Sequence, residues 1–194
     1  MNKTLSIVLF DDFTALDAFG PAEVFAKAGF DIGYHSLEGD PSRSSIGTTI
    51  HCEPMGSIPP GGNLLVPGGL GTRTLVDSGD FLSRLDALAR RAEFVLSVCT
   101  GAALLARTEW MGTRSATSNK LAWDWVVRQN PRVRWKRSAR WTVDGTFYSS
   151  SGITAGIDMA LGFVSDRFGI EEARSLARKL EHVWNEDRDS DPFA

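Results

Sequence analysis

The chain has 194 residues, with 21 basic and 24 acidic side chains and a formal net charge of −3. Its hydrophobic fraction of 42% and charged fraction of 23% are those of a globular domain and exclude disordered, collagen-like and coiled-coil chains. No apolar run reaches the roughly 18 residues that span a bilayer, the weak acidity gives no general affinity for nucleic acid, and two cysteines cannot form a disulfide framework. We therefore expect a single domain over 1–194 that is cytoplasmic and has no membrane segment.

The first half of the chain alternates short apolar runs with helical spacing. Strands are predicted over 5–10, which is a buried run, over 30–37, which alternates, and over 63–67 and 94–98; helices are predicted over 16–29, 81–89 and 99–106. We place Pro21 in the first turn of the first helix and Gly29 just past its end, because proline fits early helical positions and glycine fits helix ends. The polar segment 40–62 is predicted to carry a short hairpin arm at 46–50.

The second half adds further helical patterns and a hairpin. A helix over 121–129 ends at Asn130-Pro131, and strands over 132–143 and 146–149 flank Asp144-Gly145, a two-residue hairpin signal. A helix capped by Thr154 runs to 168, another covers 171–184, and the polar tail 186–194 is predicted to fray. This order of elements predicts an α/β fold with a mostly parallel central sheet and helices on both faces.

Three candidate functional features follow predicted strands. Asp17 follows the first strand, a glycine loop at 67–72 follows the third, and Cys99 follows the fourth. Because the carboxyl ends of parallel strands meet at one edge of a sheet, we expect the three features to converge there.

Cys99 is the candidate nucleophile. A lone cysteine is most often a small buried hydrophobic residue, and Cys52 is interpreted in that way. Cys99 differs because it stands at a strand-to-helix junction with no loop residues, and the small residues Gly101 and Ala102 follow it. Such a sharp turn projects the side chain above the sheet, and the helix N-terminus is expected to stabilise a thiolate and lower its pKa.

The glycine loop and Asp17 each have two interpretations. The loop Pro67-Gly68-Gly69-Leu70-Gly71 lacks the nucleotide-binding fingerprints, so it is either a tight turn or a set of backbone N–H groups that bind developing negative charge. Asp17 is either an N-terminal helix cap or helix-dipole partner, or a partly dry carboxyl with a raised pKa that moves protons beside the thiol. The local sequence leaves both pairs of alternatives open.

The remaining polar clusters predict neither a metal site nor a nucleic-acid partner. The three histidines match no zinc-ligand spacing, and Thr100 rather than a histidine follows Cys99. Basic residues between positions 128 and 140 alternate with tryptophans and form one basic patch. Alternation on a hairpin is typical of a solvated face, so we expect no nucleic-acid binding.

Four motifs occur in register along nearly the whole chain. They are Asp17-x-x-Gly20-Pro21-x-Glu23-Val24-Phe25, Val66-Pro67-Gly68-Gly69-Leu70-Gly71, Ser97-Val98-Cys99-Thr100-Gly101 and Ser151-Gly152-Ile153-Thr154-Ala155-Gly156-Ile157-Asp158. Together they resemble the DJ-1/PfpI superfamily, whose fold is a flavodoxin-like three-layer sandwich related to class I glutamine amidotransferases. Within it they are most similar to isonitrile hydratases and to the amidotransferase-like domains of AraC-type regulators.

The resemblance implies an enzyme without a cofactor that hydrates isocyanides to N-substituted formamides. Cys99 would add to the isocyanide carbon, and Asp17 would deliver a proton and then act as the base for water. The residues that would position substrate and water are Gly69, Leu70, Gly71, Thr100 and Ile153. The resemblance also implies a homodimer that acts on a small electrophile.

Two departures from the family pattern bear on the reaction. Protease-like members carry a histidine directly after the cysteine, so Thr100 argues against peptidase activity. Hydratase-like members often carry a histidine where this chain has Asn119, which would change the substrate if that histidine touches it. Two other functions stay open: a glutathione-independent glyoxalase or deglycase whose thiolate attacks an aldehyde, and a non-catalytic redox sensor or binding domain in which Cys99 oxidises.

Overall fold

The computed structural model describes residues 2–194, which form eleven strands and seven α-helices. The strands are β1 (Thr4–Val8), β2 (Asp31–Ser36), β3 (Ser42–Arg43), β4 (Thr49–Ile50), β5 (Glu53–Pro54), β6 (Asn63–Val66), β7 (Phe94–Val98), β8 (Ser115–Ala116), β9 (Arg134–Trp135), β10 (Trp141–Asp144) and β11 (Phe147–Ser150). The helices are α1 (Ala15–Lys27), α2 (Thr72–Leu75), α3 (Gly79–Arg91), α4 (Gly101–Ala106), α5 (Trp123–Gln129), α6 (Ala155–Phe168) and α7 (Ile170–Lys179). None of these helices is long and apolar enough to cross a bilayer.

The central sheet contains seven strands in the order β10-β11-β7-β6-β1-β2-β5. Neighbouring strands pair in parallel except for β10 and β11, which form an antiparallel hairpin at one edge. The helices α1 and α7 pack on α6, and α3 and α5 pack on α4. The predicted α/β, flavodoxin-like sandwich with a mostly parallel sheet is confirmed.

Burial explains why the inner strands are continuous apolar runs. Every residue of β6 and β7 is buried, as expected for parallel strands that helices cover on both faces. In contrast, α3 buries one stripe, formed by Phe81, Leu85, Leu88 and Ala89, because it lies at the surface of the fold. The inner strands therefore end at a dry, fixed edge, which positions the residues that directly follow them.

The first helix differs from its prediction at its start. It begins at Ala15, so Pro21 is the seventh helical residue and its predicted place in the first turn is wrong. Proline has no N–H, so this position leaves the Asp17 carbonyl without its usual helical donor. Thr14 occupies the N-cap, which places Asp17 inside the first turn. Asp17 is therefore not the N-cap, although it lies in the first turn, where a helix-dipole partner stands.

The predicted hairpin forms, with its turn one residue further along. Asp144 pairs with Phe147, so the turn is Gly145-Thr146, and Gly145 has a φ of 62°. The prediction of one strand over 132–143 is wrong, because β9 leaves the central sheet and pairs in parallel with β8. The prediction that the basic residues form a solvated face is also wrong for Arg140. Its guanidinium is buried and lies 2.6 Å from the Asp158 carboxylate.

The last helix is shorter than predicted. It ends at Lys179, and Glu181 adopts a left-handed conformation with a φ of 51°, which stops the helical repeat. The chain then turns back onto α6, where the Trp184 indole N–H donates to the Asp158 carbonyl at 3.1 Å. Trp184 was predicted to be helical and instead anchors this turn.

The tail 186–194 has no regular secondary structure, yet it differs from the frayed segment that was expected. Asp191 is buried, and its carboxylate lies 3.4 Å from the Lys120 ammonium and 3.6 Å from the Arg140 guanidinium. Its backbone N–H also donates to the Ser138 carbonyl at 2.7 Å. Two buried cations therefore hold the tail against the body of the fold, a long-range pairing that its polar composition does not reveal.

Candidate active site

Cys99 lies at the junction of β7 and α4, as the sequence predicts. Its backbone φ of 57° is left-handed, a conformation that a residue with a side chain adopts at a cost of roughly 1–3 kcal/mol. The side chain is 6% exposed. The backbone is therefore strained at the residue that carries the reactive sulfur, which is typical of functional sites.

The tight start of α4 depends on Gly101. A Cβ at this position would overlap the Val66 carbonyl oxygen and would lie 2.8 Å from the Pro67 carbonyl oxygen. These atoms belong to the end of β6 and its following residue, which are rigid backbone. A residue without a side chain at 101 is therefore what allows the helix to begin two residues after Cys99.

Gly101→Ala is expected to lower the free energy of unfolding by about 2–3 kcal/mol, because the added methyl group forces packed backbone apart. Urea unfolding followed by circular dichroism measures this change. Gly79→Ala is the matched control: it also lies at a helix start, and a Cβ there meets no atom within 4 Å. Equal stabilities of the two variants would contradict the proposed role of Gly101.

Asp17 is fully buried beside the cysteine. Its Oδ2 accepts a hydrogen bond from the Gly68 N–H at 3.0 Å, and its Oδ1 has no partner among the described residues. Burial raises the pKa of Asp17 from 3.8 to about 7, although the Gly68 N–H and the Cys99 thiol oppose this shift. Near neutral pH the carboxyl can therefore both give and take a proton.

The thiol of Cys99 differs from the expectation of a lowered pKa. Burial and the neighbouring Asp17 carboxylate raise its pKa from 9.0 to about 12. The backbone N–H groups of Thr100 and Ile153 act in the opposite direction but do not outweigh these causes. α4 is a short helix of six residues, so the field at its N-terminus is weaker than desolvation. Near neutral pH the site therefore holds a protonated thiol beside a buried carboxyl that is partly protonated.

The glycine loop supports this pair instead of offering all its N–H groups to a ligand. Gly69 has a φ of 134°, and its N–H donates to the Thr100 hydroxyl at 3.0 Å. The Gly71 N–H points to the Asp12 carbonyl at 3.5 Å, and the Leu70 side chain is 72% exposed. The loop thus holds Thr100 and, through Gly68, Asp17.

The two N–H groups that act on the sulfur come from Thr100 and Ile153. Ile153 is also left-handed, with a φ of 44°, and it follows Gly152, which packs closely against the Asn119 side-chain amide. The structure therefore brings Cys99, Asp17, Thr100 and Ile153 together. Gly69, Leu70 and Gly71 stand beside them on the loop.

Ser118 is a supporting residue that sequence reasoning missed. Its hydroxyl donates to the Cys99 carbonyl at 2.6 Å, and the side chain is fully buried. The next residue, Asn119, accepts a hydrogen bond from the Ala122 N–H at 2.9 Å. This segment therefore contacts the backbone at Cys99 through Ser118 and the backbone at Gly152 through Asn119. A serine in a polar loop carries no sequence signal that would identify such a role.

A cavity of about 480 Å³ opens beside Ile153. Its lining includes the Asn119 segment and two exposed apolar side chains, Leu121 and Phe193. Phe193 belongs to the tail that Asp191 anchors. The cavity is large enough for a small organic molecule, and its wall is mainly apolar.

The histidines lie apart from this site. His182 pairs with Asp158 at 2.9 Å, His35 is buried next to Pro54, and His51 is exposed. Within residues 2–194, no group of three or more histidine, cysteine or carboxylate side chains could hold a metal ion. The chemistry of the described site therefore rests on a thiol, a carboxyl and backbone N–H groups.

The DJ-1/PfpI family model matches residues 3–166 of the chain. The chain belongs to the DJ-1/PfpI family. The matched range includes Asp17, the glycine loop, Cys99 and Ile153, so the thiol, the carboxyl and the loop all lie within the family domain.

Individual relatives of the family agree with this assignment. An isonitrile hydratase from Pseudomonas putida is 29% identical in an alignment 191 residues long that covers 94% of this chain and 80% of that protein. A THiJ/PfpI family protein from Pseudomonas syringae superposes with a TM-score of 0.86 at 23% identity, covering 95% of this chain and 77% of that one. DJ-1beta from Drosophila melanogaster has a TM-score of 0.81 at 18% identity, covering 95% and 100%. The two structural matches show the shared fold.

Proposed function

We propose that this protein hydrates an isocyanide, R–N≡C, to the N-substituted formamide. The observation that carries the proposal is the buried Asp17 carboxyl, whose pKa of about 7 allows proton transfer in both directions beside the Cys99 thiol. The similarity to the isonitrile hydratase from Pseudomonas putida supports the choice of substrate class. Hydration needs a nucleophile and a proton carrier and no cofactor, which matches the groups that the site contains.

The first step joins the sulfur to the substrate. As Cys99 Sγ forms a bond with the terminal isocyanide carbon, its proton passes to the Asp17 carboxylate, and Asp17 returns a proton to that carbon. The product is a thioimidate, R–N=CH–S–Cys99. The N–H groups of Thr100 and Ile153 stabilise negative charge on sulfur during the attack.

The second step uses water. Asp17 takes a proton from a water molecule as its oxygen adds to the thioimidate carbon, and the nitrogen gains a proton. The carbon–sulfur bond then breaks, the formamide R–NH–CHO leaves, and Cys99 recovers its proton. The nucleophile is regenerated, and the net change is the addition of one water molecule.

The site disfavours the redox-sensor alternative. Peroxide reacts with thiolates, and the raised pKa of the buried Cys99 lowers its thiolate fraction, so its reaction with peroxide is expected to be slow. The glyoxalase or deglycase alternative commonly uses a histidine near the thiol, whereas the histidines of this chain lie elsewhere. A homodimer in the cytoplasm remains part of the proposal, and Leu16, which is exposed beside a groove between α1 and α6, provides apolar surface for a second copy.

Incubation with benzyl isocyanide in ¹⁸O-labelled water tests the proposed function. We expect one N-benzylformamide for each isocyanide consumed, with the ¹⁸O label in its carbonyl oxygen. Mass spectrometry detects the label, and proton NMR measures the amount of product. Methylglyoxal serves as the comparison substrate. Conversion of methylglyoxal to lactate with no loss of isocyanide would contradict the proposal and favour the glyoxalase alternative.

A further inference from the structure

Arg73 stands next to the candidate site and has no role in the steps described above. It follows Thr72, whose hydroxyl lies 3.2 Å from the Thr100 hydroxyl. Its guanidinium carbon lies 3.4 Å from the centre of the Trp125 ring. The helices that carry Arg73 and Trp125, α2 and α5, both pack on α4, which begins beside Cys99. The stack therefore fixes a cation near the nucleophile.

The guanidinium of Arg73 lacks an anionic partner. Its Nη1 is buried without a hydrogen-bond acceptor, and no carboxylate of residues 2–194 lies within ion-pair distance of it. Arg107, which directly follows α4, differs because it donates to the Val76 carbonyl at 3.1 Å and lies 3.9 Å from Asp77. A buried charged donor without an acceptor costs free energy, which a bound anion would recover.

The electrostatics of Arg73 agree with its position. Burial lowers the pKa of Arg73, whereas a charge on Cys99 raises it. The guanidinium and the sulfur are therefore close enough for their charges to interact. A ligand that reaches the sulfur with a negative group attached to it would bring that group towards Arg73.

We propose that Arg73 binds a carboxylate of the substrate, so that the preferred electrophile of this protein is a small acid that carries the reacting carbon. A guanidinium carbon 3.4 Å from the centre of the Trp125 ring indicates stacking on that ring, an arrangement in which a ligand would approach the edge of the guanidinium. A planar carboxylate matches two parallel N–H donors on such an edge. This inference deepens the proposed function by assigning its substrate class: an isocyanide with a carboxylate near the isocyanide carbon.

Alkylation of Cys99 tests Arg73 without relying on turnover. Iodoacetate and iodoacetamide have the same shape around the reacting carbon, but only iodoacetate carries a carboxylate; in each case sulfur displaces iodide. We expect Arg73→Gln to lower the ratio of the iodoacetate rate to the iodoacetamide rate at Cys99 by about tenfold, because one charge-assisted contact is lost. Peptide mass spectrometry measures both rates, with Cys52 as the internal reference whose ratio stays unchanged.

Two variants complete this experiment. Arg107→Gln removes a neighbouring cation that has partners of its own, and it is expected to leave the ratio at Cys99 unchanged. Arg73→Lys keeps the charge and loses the planar fork, so an intermediate ratio is expected. If Arg73→Gln slows both reagents equally, Arg73 acts on the thiolate and the proposed carboxylate site is wrong; an unchanged ratio overturns it as well.

The substrate assignment has its own measurement. For isocyanoacetate and its methyl ester, we expect Arg73→Gln to raise KM for the acid by about tenfold and to leave KM for the ester unchanged. Equal effects on both compounds would overturn the assignment. Should neither compound be hydrated by the unaltered protein, the proposed function fails, whereas the alkylation ratio still decides whether Arg73 binds a carboxylate.

Discussion

Cys99→Ala is expected to reduce isocyanide hydration to the uncatalysed rate while the fold is retained. The bond from sulfur to the isocyanide carbon gives the thioimidate that water attacks. No other described thiol or histidine lies in the candidate site to replace Cys99. Formamide production measured by NMR tests this result. Cys52→Ala, which removes the half-buried second cysteine, is the control and should keep the full rate.

The same position predicts an unusual order of stabilities. Because Cys99 has a left-handed φ of 57°, Cys99→Gly should be more stable than Cys99→Ala by about 1 kcal/mol, the reverse of the usual order at buried sites. Urea unfolding of both variants measures the difference. A rate for Cys99→Ala close to that of the unaltered protein would refute the nucleophile, and a more stable alanine variant would refute the strain.

Asp17→Asn is expected to lower kcat by at least about a hundredfold, because the amide cannot carry the proton between sulfur, carbon and water. The side chain keeps its shape, and its oxygen can still accept from the Gly68 N–H. In the unaltered protein the rate should depend on pH around 7, where the buried carboxyl titrates. Steady-state kinetics between pH 5.5 and 8.5, an interval that includes this pKa, measure both the loss of kcat in Asp17→Asn and the pH dependence of the unaltered protein.

The raised pKa of Asp17 also predicts how stability depends on pH. The unfolded chain releases this proton near pH 4, whereas the folded protein holds it until about pH 7. The folded state binds more protons in this window, so stability falls as the pH rises from 4 to 7. A pKa change from 3.8 to about 7 corresponds to about 4 kcal/mol, which Asp17→Asn should remove from the pH dependence.

Urea unfolding at pH 4 and pH 8, which together span both pKa values, measures this effect. Asp31→Asn, at the exposed start of β2, is the matched control and should follow the unaltered protein. A variant Asp17→Asn with an unchanged pH dependence of stability would show that the carboxyl titrates as it does in water. Retention of most of the turnover would remove Asp17 from the proposed mechanism.

The sheet and the edge that carries the site could be predicted from local patterns, because each inner strand is recognised by its own short apolar run. The apolar runs of β6 and β7 need only burial on both faces, and the residues after them are fixed by chain order. The placement of Asp17 and Cys99 at one edge follows from that topology. The turn at Gly145 was displaced by one residue because hairpin register depends on the partner strand as well as on the turn sequence.

Quantities that depend on distant contacts could not be predicted from the sequence. The expected low pKa of Cys99 considered the helix N-terminus and omitted desolvation, together with a carboxylate that is 82 residues away in the chain and in contact in the fold. The anchoring of Asp191 depends on Lys120 and Arg140, which polar composition alone does not pair with it. Ile153 was found through the family motif, and its left-handed conformation has no signal in its residue type.

The left-handed backbone at Cys99 and Ile153 means that the groups acting on the sulfur and the groups lining the cavity can change independently in evolution. The groups that handle charge on sulfur are main-chain N–H groups, which every residue type except proline supplies. The cavity wall also includes the side chains of Asn119, Leu121 and Phe193, which lie outside that backbone frame. Exchanges at the wall can therefore redirect the choice of substrate over evolutionary time while the chemistry at the sulfur is passed on unchanged.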